Sequence, residues 1–280
     1  MSHFSNELEA LNWYEAQGRV LNPDFLETIP WQDAKKHELK PEFIPVLVYM
    51  RDVEKFTEMY YRELKRTPTG RDPIVRRFME KWSTEENLHG ELINRFLIEA
   101  GIPANDKWYD EAKKNIPMKY KISSTLNGLV SNCFGKSFTA VHMTWGAINE
   151  YTTLSGYRRL WELAKHPVLE HLLKAIAREE AIHSFFYWSL ARIYLERSNV
   201  AQELTRYIVE HFWTPVGQGA KRAVDTNYLI MTLFRGLEGV NAMDKFVNAR
   251  IEQLPGLQGI KKIRDHVAAV VLSAREPGAA

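Results

Sequence analysis

A chain of 280 residues, 45% apolar and 26% charged, can bury a sizeable core, and its net charge of +2 is too mild for a nucleic-acid-binding surface. Its one cysteine, Cys133, excludes an internal disulfide, is too few for thiolate zinc or iron–sulfur ligation, and suits a reducing cytoplasm, where it is expected as a small buried apolar residue. The first twenty residues carry Glu7, Glu9 and Glu15 without an apolar run, and no stretch approaches the length of a membrane span, so neither a secretory leader nor a membrane-spanning helix is expected.

In chain order, residues 1–19 read as a short amphipathic helix, and residues 20–40, with Pro23, Pro30 and Trp31, as irregular. A helix is predicted from Pro41 to about Lys65 and is broken by Thr67-Pro68-Thr69-Gly70. Asp72-Pro73 then supplies a cap and first turn for a helix that reaches Ala100 and stops at Gly101-Ile102-Pro103. Residues 104–122 read as helix plus loop. Long helices follow over 127–164 and 168–196, separated by His166-Pro167, then shorter ones over 199–212, 222–252 and 259–274, with a break at Thr214-Pro215-Val216-Gly217. Nothing reads as a βαβ unit or a phosphate-binding loop. The chain is predicted to be all-α, a single domain over 1–280 with a bundle core over 41–196 and additional N- and C-terminal helices.

One spacing occurs twice: Glu85-Glu86-Asn87-Leu88-His89 and Glu179-Glu180-Ala181-Ile182-His183. Residues three apart lie on one face of a helix, so Glu86 with His89, and Glu180 with His183, can each hold a metal ion from one side. Chance yields roughly one Glu-x-x-His in a chain of this composition, but only about 0.08 of Glu-Glu-x-x-His. A Glu-x-x-His from each of two helices, with a Glu from each of two others, is the ligand set of a carboxylate-bridged di-iron or di-manganese four-helix bundle.

The helix before each motif is the natural donor of the remaining carboxylate. Glu150 lies among small and apolar neighbours in Thr144-Trp145-Gly146-Ala147-Ile148-Asn149-Glu150, so it is expected to face inward, where an unpaired carboxylate is costly. Helix 41–65 offers Glu54, Glu58 and Glu63, the first two one turn apart on one face. Thirty-two positions separate Glu54 from Glu86 and thirty separate Glu150 from Glu180, room for about four turns up and four turns down. Four carboxylates would balance two divalent ions, which lets such a site be buried.

The run Trp82-Ser83-Thr84-Glu85-Glu86-Asn87-Leu88-His89-Gly90 resembles the Trp-Thr-Ala-Glu-Glu-Asn-Arg-His-Gly motif of the soluble acyl–acyl carrier protein desaturases, a ferritin-like di-iron family. Glu179-Glu180-Ala181-Ile182-His183 is similar to the family's Asp-Glu-x-x-His, and Thr153 follows Glu150 at the family's spacing. Around the first ligand only Glu54 and Tyr60 keep the pattern, and on that pattern Glu54 is preferred to Glu58. The chain is shorter than the plant members, as bacterial members are. The resemblance implies a ferritin-like four-helix bundle in which Glu54, Glu86, His89, Glu150, Glu180 and His183 hold two Fe2+ ions. It also implies O2 as oxidant, a fatty acyl substrate on acyl carrier protein, a ferredoxin-type electron donor and a homodimer. Thr153 is the expected catalytic hydroxyl.

Glu85 and Glu179 are expected to accept from the outer nitrogens of the histidines across the bundle. Phe134, Phe138, Met143, Trp145, Leu88 and Phe186 are candidates for the lining of an acyl pocket, although such residues are core in most helices. Arg62, Lys65, Arg66, Arg71, Arg76 and Arg77 form a candidate basic face for acidic acyl carrier protein, or a simple solvated face. Trp82, Trp13, Trp31 and His142 are expected as core or surface residues before any electron-transfer role. Two other readings remain open: a di-iron oxygenase of another substrate, such as an arylamine N-oxygenase, and a non-catalytic ferritin-like iron-binding protein.

Overall fold

The computed structural model describes residues 4–105, 107–118, 120, 135 and 137–273; Cys133 and Phe134 lie outside them. The described residues are helical throughout, apart from loops and one isolated bridge between Gln218 and Lys221. In chain order the elements are α1 (Glu7–Ala16), α2 (Pro23–Thr28), α3 (Ile44–Leu64), α4 (Pro68–Arg71), α5 (Pro73–Glu99), α6 (Trp108–Lys114), α7 (Ser137–Ala164), α8 (Pro167–Glu196), α9 (Asn199–Phe212), α10 (Ala223–Leu233), α11 (Gly236–Met243) and α12 (Lys262–Ser273).

The four long helices pair as antiparallel neighbours in sequence, α3 with α5 and α7 with α8. Their ends follow local chemistry. Asp72 accepts from the N–H groups of Ile74 (2.9 Å) and Val75 (3.1 Å), and Pro73 opens α5 where its missing donor costs nothing. Between α7 and α8 only Lys165, at φ 50, and His166 intervene. His166 does more than end a helix. Its Nδ1 accepts from the Leu169 N–H at 3.3 Å, and its Nε2–H donates to the Ala34 carbonyl at 2.9 Å. Burial lowers its pKa, which keeps the ring neutral and fit for both bonds.

Two layers flank the bundle. Helix α1 lies across α5 and α8, while α10 packs on α3 and α9 on α7, with α12 against α10 and α11. The region read as irregular, 20–40, holds α2 and a 3₁₀ segment, Trp31–Lys36. Asn22 accepts from the Phe25 N–H and Pro23 opens the helix, a start signal short enough to be overlooked. The helix read over 222–252 is broken at Phe234–Gly236. Gly236 takes φ 73, and a Cβ on Gly239 would sit 2.2 Å from the Phe234 carbonyl, so the chain turns too tightly there for a continuous helix. A π segment, Asp244–Asn248, follows α11. The last helix begins at Lys262 rather than 259.

Candidate metal centre

Each of the four long helices contributes to one buried cluster. Glu54 comes from α3, Glu86 and His89 from α5, Glu150 from α7, and Glu180 and His183 from α8, all buried. They fall into two quartets, Glu54–Glu86–His89–Glu180 and Glu86–Glu150–Glu180–His183, each with donor atoms within 4.8 Å of one another. Glu86 and Glu180 belong to both. Glu58, one turn from Glu54, lies outside the cluster and pairs with Arg62 at 3.1 Å.

Both imidazoles turn Nδ1 inward. His89 Nδ1 lies 3.1 Å from Glu180, 3.8 Å from Glu86 and 3.9 Å from Glu54. His183 Nδ1 lies 2.8 Å from Glu86, 3.8 Å from Glu150 and 3.9 Å from Glu180. The rings stand 6.0 Å apart, centroid to centroid. The nearest inner carboxylate to each ring therefore belongs to the opposite motif.

The outward nitrogens are held in the same crossed manner. His89 Nε2 meets Glu179 at 3.0 Å, and His183 Nε2 meets Glu85 at 2.8 Å. An ionised carboxylate only accepts, so each Nε2 carries a proton and donates, which leaves each Nδ1 facing the cluster, with a lone pair there once the ring is neutral. This is the arrangement expected of Glu85 and Glu179. The reason is helical geometry: consecutive residues point about 100° apart, so Glu86 and Glu180 face inward while Glu85 and Glu179 reach the neighbouring helix.

A further shell was not foreseen. Tyr14 donates to Glu85 at 2.6 Å, and the N–H groups of Val20 and Leu21 donate to Glu179, both at 2.9 Å. The Arg19 guanidinium, partly exposed, lies 3.5 Å from Glu179 and 3.8 Å from Glu85. No local sequence signal links this N-terminal segment to helices α5 and α8. Tyr157 donates to Glu54 Oε1; it lies seven residues after Glu150, two turns along one face, and that spacing could have disclosed it. Trp82 is a core residue whose Nε1 donates to Glu150 at 3.2 Å.

The electrostatics are those of a crowded acidic pocket. Burial, then the charges of Glu180, Glu54 and Glu150, pushes the Glu86 carboxyl well above the usual carboxylate range; burial and Glu180 do the same to Glu150. Burial would also raise Glu180, but the adjacent His183 and His89 reverse the sign and hold it low. Burial would lower His183, yet Glu180 and Glu85 lift it to about 10; His89 is raised as well, against burial, by Glu179 and Glu180. Glu179 falls to about 2 because His89, Leu21 N–H and Arg19 outweigh its burial.

Do these residues fit metal ions? Buried Glu86 Oε1, both Glu180 oxygens, His89 Nδ1 and His183 Nδ1 have no hydrogen-bond partner. Unpaired buried polar atoms are costly and rare, and here five of them converge on one point. Four carboxylates and two neutral imidazoles are a donor set for two divalent cations, with charges that cancel. The fit is good.

Beside the cluster lies a mostly apolar pocket. Glu54 and Thr153 line it together with Met50, Ile230, Phe234 and Met243. Of the residues expected to line an acyl pocket, Phe138, Met143, Trp145, Leu88 and Phe186 are not among its walls. Phe186 instead stacks on Phe78 at 3.9 Å between α8 and α5, and Met143 is fully buried core. Most of the expected basic face is neutralised by neighbours: Arg62 pairs with Glu58, Arg66 with Glu63, Arg76 with Glu80 and Arg77 with Glu15. His142 bonds Thr69 at 2.7 Å and is pushed down to about 3 by burial, a neutral interior histidine outside the cluster.

An antiparallel all-α bundle that buries two Glu/His quartets is consistent with the ferritin-like type, and those quartets could hold metal ions. The sequence model of the fatty acid desaturase family matches residues 54–205, more than half of the chain and all six clustered residues, and the protein belongs to that family. No curated protein matches the chain. No helix among the described residues is long and apolar enough to cross a membrane.

Proposed function

We propose that the protein is a di-iron, O2-dependent desaturase of fatty acyl chains carried on acyl carrier protein. The observation that carries this reading is the pair of quartets sharing Glu86 and Glu180, with each histidine's outer nitrogen held by a carboxylate of the opposite motif. Glu54, Glu86, His89 and Glu180 would hold one iron, and Glu86, Glu150, Glu180 and His183 the other. Two bound Fe2+ ions supply, with O2, the oxidising power that an unactivated C–H bond demands and that no side chain provides. In the overall reaction two hydrogens leave the chain as a double bond forms. With two further electrons from a ferredoxin-type donor and two protons, they reduce one O2 to two waters.

The chain's own residues have separable tasks. Glu85 and Glu179 fix the histidine tautomers. Tyr157 and Trp82 orient Glu54 and Glu150. Thr153, which lines the cavity beside Glu54, is the proposed catalytic hydroxyl, and the cavity's apolar character suits a hydrocarbon chain better than a polar arylamine. The test is to load the protein with iron, reduce it and supply acyl carrier proteins bearing chains of several lengths under air. Mass spectrometry should find products lighter by two hydrogens. Products heavier by one oxygen identify an oxygenase instead, and absence of any acyl product refutes the reading.

A further inference from the structure

We infer that the C-terminal layer, α10 to α12 with the loop preceding it, is the wall that determines which apolar chain the protein accepts. This rests on the desaturase reading for the identity of the ligand, an uncharged hydrocarbon segment, but not for the existence of the site. The cavity has two sides of different origin. Glu54, Thr153 and Gly156, on α3 and α7, form the side next to the metal cluster. Ile230, Phe234, Met243 and Val267 form the opposite side, all buried and all beyond the stretch 54–205 that the family shares.

The chemistry of the walls selects the ligand. Glu54 is the one charged side chain among the described lining residues, and no cation lines the cavity to receive a carboxylate or phosphate. Two of the lining hydroxyls are engaged with backbone: Tyr49 donates to the Val216 carbonyl at 2.7 Å, and Thr152 to the Asn149 carbonyl at 2.8 Å. Trp213, whose buried Nε1 has no hydrogen-bond partner, also lines the pocket, but with no cation there a charged head group stays outside while an apolar tail enters. The wall is also anchored. Lys221 pairs with Asp52 on α3 at 2.6 Å, and the Tyr49 bond to Val216 fastens the loop to the same helix. At Gly156 a Cβ would stand 2.9 Å from the Met50 methyl, so the absence of a side chain lets α7 and α3 approach closely on the side of the cavity next to the cluster.

The test uses the metal-loaded protein and a ladder of saturated fatty acid N-acetylcysteamine thioesters. Binding is measured by calorimetry under nitrogen, and products are measured under air. Leu229→Trp, at a half-buried wall position, narrows the cavity; Met243→Ala widens it. The tryptophan variant should favour shorter chains, with binding of the longest ligand weakened about fourfold for each methylene displaced. The alanine variant should favour longer ones, and both should keep the wild-type metal content. An unchanged length profile in both variants, with metal retained, overturns the inference and leaves the desaturase reading intact. Failure of every thioester to bind the wild type overturns it too. Binding with a shifted profile but no turnover of any acyl substrate supports the inference and removes the desaturase reading.

Discussion

Replacing Glu179 by glutamine tests the crossed histidine arrangement with the smallest possible change of shape. The native carboxylate, held near pKa 2, is ionised at any working pH and accepts from three groups, His89 Nε2–H at 3.0 Å and the N–H groups of Val20 and Leu21 at 2.9 Å, with the Arg19 guanidinium as an ion-pair neighbour at 3.5 Å. An amide can satisfy only one side. If its oxygen stays on Val20 and Leu21, its NH2 faces His89 Nε2–H, donor against donor. The ring escapes by moving its proton to Nδ1, and the lone pair offered to metal is lost. The expected loss is about 10- to 100-fold in affinity for the ion bound through His89, or roughly 1.4–2.7 kcal/mol. If the amide turns over instead, two backbone donors face NH2. The cost then falls on folding, about 1–3 kcal/mol per unpaired group, and appears in the melting temperature. Titration with Co2+ followed by visible absorption, together with scanning calorimetry, separates the two cases. Glu85→Gln is the mirror experiment on His183. Wild-type affinity for both ions together with a wild-type melting temperature in Glu179→Gln refutes the reasoning.

Glu54→Ala should lower bound metal from two ions toward one by elemental analysis, whereas Glu58→Ala, which removes an exposed pair with Arg62 and a long bond from Tyr109, should leave it at two; metal loss in the second variant alone would reverse the choice of ligand. Gly146→Ala places a Cβ 2.3 Å from the fully packed Tyr187 ring, so a destabilisation of about 1–3 kcal/mol is expected in thermal unfolding, and an unchanged melting temperature contradicts that contact. The metal-free protein should lose stability as the medium becomes alkaline. His183 binds its proton more tightly folded, near pKa 10, than unfolded, near 6.5, so its contribution is complete below pH 6.5 and disappears as pH rises toward 10. Metal-loaded protein should lack this decline, and loading should release protons, measurable by calorimetry in buffers of different ionisation enthalpy; equal pH profiles for the two forms would sink the claim.

The cluster was legible in the sequence because its information is local. Glu86 and His89, or Glu180 and His183, share a helix face by spacing alone, and the adjacent Glu85 and Glu179 must then point sideways toward a neighbour. The helix ends around them were marked by Asp72-Pro73, Gly101-Ile102-Pro103 and His166-Pro167, each a steric or hydrogen-bonding stop. Glu54 was separable from Glu58 only by a family pattern, since two glutamates one turn apart look alike until the partner helix is placed; Tyr157 is that placement made visible. The cavity wall was not legible. Phe186 and Ile230 are both large and apolar on amphipathic helices, and whether one packs in the core or borders a void depends on how α10 to α12 dock. The break at Phe234–Gly236 was hidden for a related reason. One glycine within a helical pattern is tolerated, and only the close approach to Phe234 makes it obligatory.

The crossed contacts have a consequence for how the centre forms. Glu86 and Glu180 each serve both quartets, and each histidine depends on a carboxylate from the opposite helix for its tautomer. Neither half-site is therefore complete until α5 and α8 stand in register. A slide of one helix past the other by a single turn, about 5.4 Å, would part both histidines from their acceptors at once. The N-terminal segment resists that slide, because Tyr14 holds Glu85 on α5 while Val20 and Leu21 hold Glu179 on α8. Register, tautomer and metal affinity are thus one coupled quantity in this fold, and a clamp outside the family's shared stretch helps to set it.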